Sequence, residues 1–148
     1  MQPAPRPGKI PRFEGLRVLV VDDVPEIRTT LVALLRLVGA RGIAVNSAAA
    51  ALEAFERERP DVVLADISMP DEDGYSLIRK IRALPPDRGG DVPAAAFTGW
   101  DADAVVDPLA QAGFDLYLPK PVSLEGLIHA IAILAPLRPV RERASIAG

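Results

Sequence analysis

Short apolar runs alternate with one-sided helical patterns through most of this chain. Leu16-Arg17-Val18-Leu19-Val20-Val21 is nearly all apolar and rich in β-branched residues, which predicts a strand covered on both faces, and it ends at Asp22-Asp23. Ile27, Leu31, Leu34, Leu35 and Val38 then recur at i, i+4, i+7, i+8 and i+11, an amphipathic helix stopped by Gly39. A second short strand is predicted over 42–45. Ser47 can cap a helix whose apolar side is Ala51, Leu52 and Phe55 and which closes at Pro60. Asp61-Val62-Val63-Leu64-Ala65-Asp66 reads as a third strand ending in a carboxylate. Residues 75–84 follow as a helix stopped by Pro85-Pro86, with the turn Asp87-Arg88-Gly89-Gly90 after it. Strands are predicted over 93–98 and 115–118, and Ser123 can cap a last helix with Leu124, Leu127, Ile128, Ile131 and Leu134 on one side.

Between those two strands a fourth helical stretch, 102–112, contains Pro108. Proline removes an i to i−4 bond, so this helix is either kinked or begins with Asp107 as its cap and Pro108 at its first position. Five strands alternating with five helices require crossover connections, which are right-handed and produce a doubly wound α/β fold with a parallel sheet covered on both faces. In such a sheet function gathers at the carboxyl ends of the strands.

Composition excludes several classes. The 148 residues suffice for one domain of ordinary size, and 49% hydrophobic against 25% charged residues excludes a wholly disordered chain. With no Cys there is no disulfide framework, thiol catalysis or Cys-ligated zinc, and one His (His129) excludes a His-rich metal site. No apolar run reaches the roughly 18 residues of a membrane span, and residues 1–8 carry Pro and Arg where a signal peptide needs an apolar stretch, so a cytoplasmic location and no membrane partner are expected. Charge is unevenly distributed. Arg6, Lys9 and Arg12 against Glu14, and Arg138, Arg141 and Arg143 against Glu142, make each end +2, which leaves −7 on residues 15–135 of a chain whose net charge is −3. That acidic body argues against nucleic-acid binding, which needs a basic face for phosphates. The Pro-rich ends, 1–14 and 136–148, are expected as flexible tails around a domain at 15–135.

The strand ends place Asp22 and Asp23 after the first strand, Asp66 after the third, Thr98 after the fourth and Lys120 just past the fifth. Three crowded carboxylates raise one another's pKa. A hard divalent cation with oxygen ligands, above all Mg²⁺, relieves this and screens an incoming phosphoryl group. A Lys ammonium and a Thr hydroxyl on the other side would hold phosphoryl oxygens, and an Asp carboxylate between them is a nucleophile toward phosphorus.

Asp22-Asp23, the run Asp66-Ile67-Ser68-Met69-Pro70-Asp71-Glu72-Asp73-Gly74, Phe97-Thr98-Gly99 and Tyr117-Leu118-Pro119-Lys120-Pro121 resemble the receiver (response-regulator) domain of two-component signalling, over about residues 15–135. The resemblance implies a flavodoxin-like sheet in order 2-1-3-4-5. It makes Asp66 the phosphoacceptor, supplied by a sensor histidine kinase or a histidine phosphotransfer protein. Asp23, Asp66 and the backbone carbonyl of Ser68 would bind Mg²⁺, with Asp22 assisting through water. Thr98 and Lys120 would hold the phosphoryl oxygens, Thr98 and Tyr117 would switch the face built from the fourth helix, fifth strand and fifth helix, and Lys120-Pro121 would be a cis peptide. Ser68 and Trp100 stand where the family tunes the lifetime of its phosphoaspartate; a large indole over the site would exclude the attacking water. Two departures stand out: Glu72 where the family often has an apolar residue, and Pro108 in the fourth helix.

Other readings of the same residues exist. Asp22 and Asp23 would suit as caps of the first helix, Tyr117 as a half-buried strand aromatic, His129 as an ordinary surface histidine, and Trp100 as a core anchor. Asp71-Glu72-Asp73-Gly74 is no calcium loop, since Met69 and Lys80 occupy its first and twelfth ligand positions. An aspartate-nucleophile phosphatase of the haloacid-dehalogenase type also uses Asp, Mg²⁺, Thr and Lys, but carries Asp-x-Asp after its first strand. A phosphorylation-independent interaction module is the other alternative. With no second domain legible in the sequence, output is expected through a downstream protein or a homodimer.

Overall fold

The apolar runs pair side by side and all in one direction. The computed structural model describes residues 11–99 and 108–138. Strands β1 (Arg17–Val21), β2 (Arg41–Val45), β3 (Val62–Asp66), β4 (Ala94–Thr98) and β5 (Leu116–Pro119) form a parallel sheet in the order β2-β1-β3-β4-β5. Helices α1 (Pro25–Leu37), α2 (Ala48–Glu58), α3 (Gly74–Arg82), the helical residues 108–112 (α4) and α5 (Leu124–Leu134) cover it. This is the doubly wound α/β fold expected from the alternation.

Successive residues of a strand face opposite sides, so each buried strand feeds two cores. On one side Val18, Val20, Leu64 and Phe97 pack against Leu31 and Leu35 of α1 and Leu127 and Ile131 of α5. On the other, Leu19, Val21, Val63 and Ala65 meet Phe55 of α2, Leu77, Ile78 and Ile81 of α3, and Leu109 of α4. β3 and β4 are buried along their whole length, whereas β2, at the sheet edge, is partly exposed. Each fully buried Leu, Ile or Phe side chain contributes about 1.5–3 kcal/mol, and this sets the sheet rigidly enough to position groups at its rim. Among the described residues no helix is long and apolar enough to cross a membrane.

The helix ends refine the sequence reading. Ser47 and Ser123 cap α2 and α5 as expected, accepting from the N–H groups of Ala50 (3.1 Å) and Gly126 (3.0 Å). α2 closes one residue before Pro60, on Arg59 in the left-handed region (φ 52°). The N-cap of α1 is Val24, with no side-chain cap and Pro25 in the first turn, so neither Asp22 nor Asp23 caps that helix. β5 runs over 116–119 rather than 115–118, because the Asp115 carboxylate turns aside to accept from the Ala94 N–H (2.9 Å) and from Arg82 (3.2 Å). Pro108 is itself helical; residues 100–107, with Trp100 and most of the expected fourth helix, lie outside the described residues. The segment expected as an N-terminal tail reaches into the fold at its last residues: the Phe13 N–H donates to the Val38 carbonyl (2.6 Å), and its ring is half-buried against the α1–α5 core.

One structural element left no signal in the sequence. Arg82, at the end of α3, donates to the carbonyls of Gly113 (2.9 Å), Gly90 (2.9 Å) and Val92 (2.5 Å) besides its ion pair with Asp115. It thereby joins α3, the entry to β4 and the entry to β5. Burial lowers its pKa, opposed by Asp115 and Asp91.

Candidate functional site

The strand ends converge on one rim as expected. Each of Asp22, Asp23 and Asp66 places a carboxylate oxygen within 4.8 Å of the others. Asp22 is fully buried. Its Oδ1 accepts from the Val24 N–H (2.9 Å), while Oδ2 has no hydrogen-bond partner among the described residues and lies 3.6 Å from the Lys120 ammonium. Burial pushes the Asp22 carboxyl up, the charges of Asp66 and Asp23 add to this, and the Val24 N–H and Lys120 oppose it. A buried carboxylate oxygen without a partner costs free energy unless something cationic satisfies it. Three hard carboxylate oxygens at this spacing, beside an unpartnered oxygen of Asp22, fit a divalent cation such as Mg²⁺.

Asp66, buried at the end of β3, is held in place from two sides. Its Oδ1 accepts from the Ser68 N–H (3.1 Å) and from Lys120 Nζ (3.1 Å). Lys120 follows β5 directly, its own N–H donating to the Thr98 carbonyl (2.9 Å). The Lys120–Pro121 peptide is cis. Thr98 is buried at the end of β4. Ser68 is exposed at the mouth of the site, Tyr117 is half-buried against the α2–α3 core, and His129 is exposed on α5.

The loop after Asp66 is shaped by Gly74. A Cβ at this position would lie 2.5 Å from the Asp66 carbonyl oxygen and 2.8 Å from the Ile67 Cα, so α3 can start this close to β3 only with glycine there. Asp73 caps α3 by accepting from the Ser76 N–H (2.9 Å). Glu72 accepts from the Ser76 hydroxyl (2.7 Å) and pairs with Lys80 (2.7 Å). Lys80 first, and then Ser76, hold its carboxyl below the ordinary range. Its departure from an apolar residue is therefore absorbed by two helix partners rather than by the site. Arg28 was not legible as a site residue: its Nη1 donates to the Asp22 main-chain carbonyl (2.8 Å), which ties α1 to the acidic cluster.

A cation-ready carboxylate cluster, an Asp gripped by a Lys, and a Thr at the next strand end can together accept and hold a phosphoryl group. The family model of the response regulator receiver domain matches residues 18–132. The chain is 37% identical over 114 residues to an uncharacterized 14.6 kDa protein in the sodA1 3' region of Leptolyngbya boryana, covering 77% of this chain and 86% of that one. It is 35% identical over 133 residues to the response regulator MprA of Mycobacterium leprae, covering 89% of this chain and 57% of MprA, so it spans little more than half of that relative. Among solved structures, the receiver domain of the sensor histidine kinase PA1611 from Pseudomonas aeruginosa PAO1, with a magnesium ion coordinated in its active-site cleft, superposes with a TM-score of 0.74 at 34% identity, covering 82% of this chain and 98% of that one. The strand order, the acidic rim and these matches together place the chain in the response regulator receiver domain family, the signalling domain of two-component systems.

Proposed function

We propose that this chain is a phosphoacceptor switch that takes a phosphoryl group onto Asp66 from a phosphohistidine of a sensor histidine kinase or histidine phosphotransfer protein. The observation that carries this reading is the Asp66 carboxylate, 3.1 Å from the Lys120 ammonium and with an oxygen within 4.8 Å of oxygens of Asp22 and Asp23. A carboxylate oxygen of Asp66 attacks phosphorus, the P–N bond of the donor breaks, and the imidazole leaves with its electron pair and takes up a proton. Lys120 meets the oxygens that gain charge, and the Thr98 hydroxyl at the end of β4 is positioned to join it. Asp23 and Asp66, with the Ser68 carbonyl and with Asp22 assisting through water, would hold Mg²⁺, which supplies charge neutralisation between the carboxylates and the phosphoryl oxygens. Thr98 and Tyr117 would carry the change to the face of α4, β5 and α5, and Ser68 and Trp100 would govern how long the phosphoaspartate lasts. The receiver unit is taken as 15–135 in the cytoplasm, between basic flanks 1–14 and 136–148, with output to a downstream protein or a homodimer.

A labelled phosphohistidine donor tests the proposal. Transfer to this chain that is lost on chelation of Mg²⁺ is the expected result. No transfer with any histidine donor or acetyl phosphate would favour the phosphorylation-independent module, and turnover of p-nitrophenyl phosphate would favour the phosphatase.

Two further outcomes separate the roles. Lys120→Ala should spare labelling more than it spares the conformational response, because the nucleophile remains while the charge that reads the phosphoryl group is lost; partial proteolysis or chemical shifts before and after phosphorylation report the response, and equal losses in both would contradict the assignment. In calorimetric titrations Asp23→Ala should weaken Mg²⁺ binding by 10-fold or more, as expected when one hard anionic ligand is lost from so small a set. Unchanged affinity would remove Asp23 from the metal site.

A further inference from the structure

The open edge of the sheet carries a surface that the phosphoryl chemistry does not use. Among the described residues β2 pairs only with β1. The Arg41 N–H donates to the Leu16 carbonyl (2.8 Å) and the Val45 carbonyl accepts from the Asp22 N–H (3.2 Å), so residues 41, 43 and 45 turn their main-chain groups toward β1. By the alternation of a strand, the N–H and C=O groups of Gly42 and Ala44 point to the free edge. Ile43 and Val45 pack on the α2–α3 side, which leaves Gly42 and Ala44 on the α1 side. There a groove of about 390 Å³ is lined by Arg28, Thr29, Val32, Ala33, Arg36 and Ala44. Val32, Ala33 and Ala44 make an apolar floor between two guanidinium groups, and neither Arg28 nor Arg36 forms an ion pair with a described carboxylate.

We propose that this groove docks an extended, acidic segment of a partner protein, added alongside β2 as a sixth strand. Strand addition to an open edge supplies main-chain hydrogen bonds from Gly42 and Ala44, and the groove supplies sequence preference. Arg28 and Arg36 lie eight residues apart on α1, about 12 Å along its axis. An extended chain covers that distance in about four residues. Positions i and i+4 of a strand share a face with i+2 between them. The segment recognised therefore carries carboxylates at i and i+4, with a small or β-branched apolar residue at i+2 over Val32 and Ala33.

Charge selects this occupant over others. The chain's own ends are each +2 and would meet two arginines. A second copy pairing β2 with β2 would bring two sets of Arg28 and Arg36 together. A nucleic acid needs an extended basic face for its run of phosphates, whereas the groove offers two guanidinium groups, enough for two carboxylates. Arg28 also donates to the Asp22 main-chain carbonyl (2.8 Å), but Arg36, Val32, Ala33 and the β2 edge touch no group of the phosphoryl site, so the inference stands apart from the role of Asp66.

The test is fluorescence anisotropy with a dye-labelled peptide, Ser-Glu-Thr-Val-Thr-Glu-Ser, titrated with the full chain at low salt. Saturable binding is expected below about 1 mM. It should weaken at least 10-fold when both Glu are replaced by Lys, in the exposed variant Arg36→Glu, and in Ala33→Glu, which puts a carboxylate in the groove. Of two peptides N-methylated at alternate residues, one should bind and the other should not, because only alternate N–H groups face β2. No saturation at 1 mM, equal affinity for the lysine peptide, unchanged affinity in both protein variants, or equal binding of the two methylated peptides would each overturn the proposal.

Discussion

Asp66→Asn should take up no label from a phosphohistidine donor under conditions in which the wild-type chain is labelled to completion. The amide is nearly isosteric and can still accept from the Ser68 N–H and from Lys120, so the fold and the Lys120 contact should survive. What is lost is the anionic oxygen that forms the bond to phosphorus. The effect on transfer should therefore exceed 10³-fold, the scale on which removing a reacting group acts, while thermal unfolding shifts by only a few degrees. Because Asp66 is one source of the charge that raises the Asp22 carboxyl, the variant should also ionise Asp22 more readily. Labelling of Asp66→Asn near the wild-type level would place the phosphoacceptor elsewhere. Loss of labelling together with loss of the folded state would leave the nucleophile assignment to be read from Asp66→Glu, which keeps a carboxylate one methylene out of place.

Arg82→Ala should destabilise the chain by about 3 kcal/mol and lower its Tm by roughly 10 °C, the largest stability effect anticipated for any charged residue. The arginine satisfies the carbonyls of Gly90, Val92 and Gly113 and pairs with Asp115, whose Oδ2 also accepts the Ala94 N–H. Truncation leaves these acceptors unpaired and the Asp115 charge uncompensated. Each orphaned acceptor costs on the order of 1 kcal/mol once water reaches part of the site. Lys should rescue little, because a single ammonium cannot span three carbonyls set around a planar fork. Denaturant unfolding of Arg82→Ala and Arg82→Lys checks this, and a loss under 1 kcal/mol in the alanine variant would show that the carbonyls find other partners. Phosphoryl transfer well below the transition should persist, since none of these contacts touches Asp66.

The reach of the linear sequence differs between these two residues. Asp66 was legible because a buried parallel strand announces itself as an unbroken apolar run, and a carboxylate that ends such a run, at a rim where three other strand ends supply Asp22, Asp23, Thr98 and Lys120, has few other reasons to be there. Arg82 was illegible because its partners are main-chain carbonyls of the segments leading into β4 and β5, and carbonyls carry no residue identity. Arg28, which holds the Asp22 carbonyl, escaped for the same reason. Gly74 was visible as a loop former, but its role depends on a distance of 2.5 Å between a hypothetical Cβ and the Asp66 carbonyl, which is a property of two elements brought together.

The sequence by itself determined the number and direction of the strands, the two serine caps, the sides of α1 and α5 that face the core, and the set of carboxylates, threonine and lysine at the rim. All of these follow from local periodicity and from the need of a parallel sheet to be covered on both faces. Only the tertiary structure decided that α2 ends on Arg59, that Val24 rather than an aspartate caps α1, that Glu72 is neutralised by Lys80, and that β2, which pairs only with β1 among the described residues, lies beside Arg28 and Arg36. Each of these depends on which residues distant in sequence become neighbours, and that is set by the packing of the whole sheet.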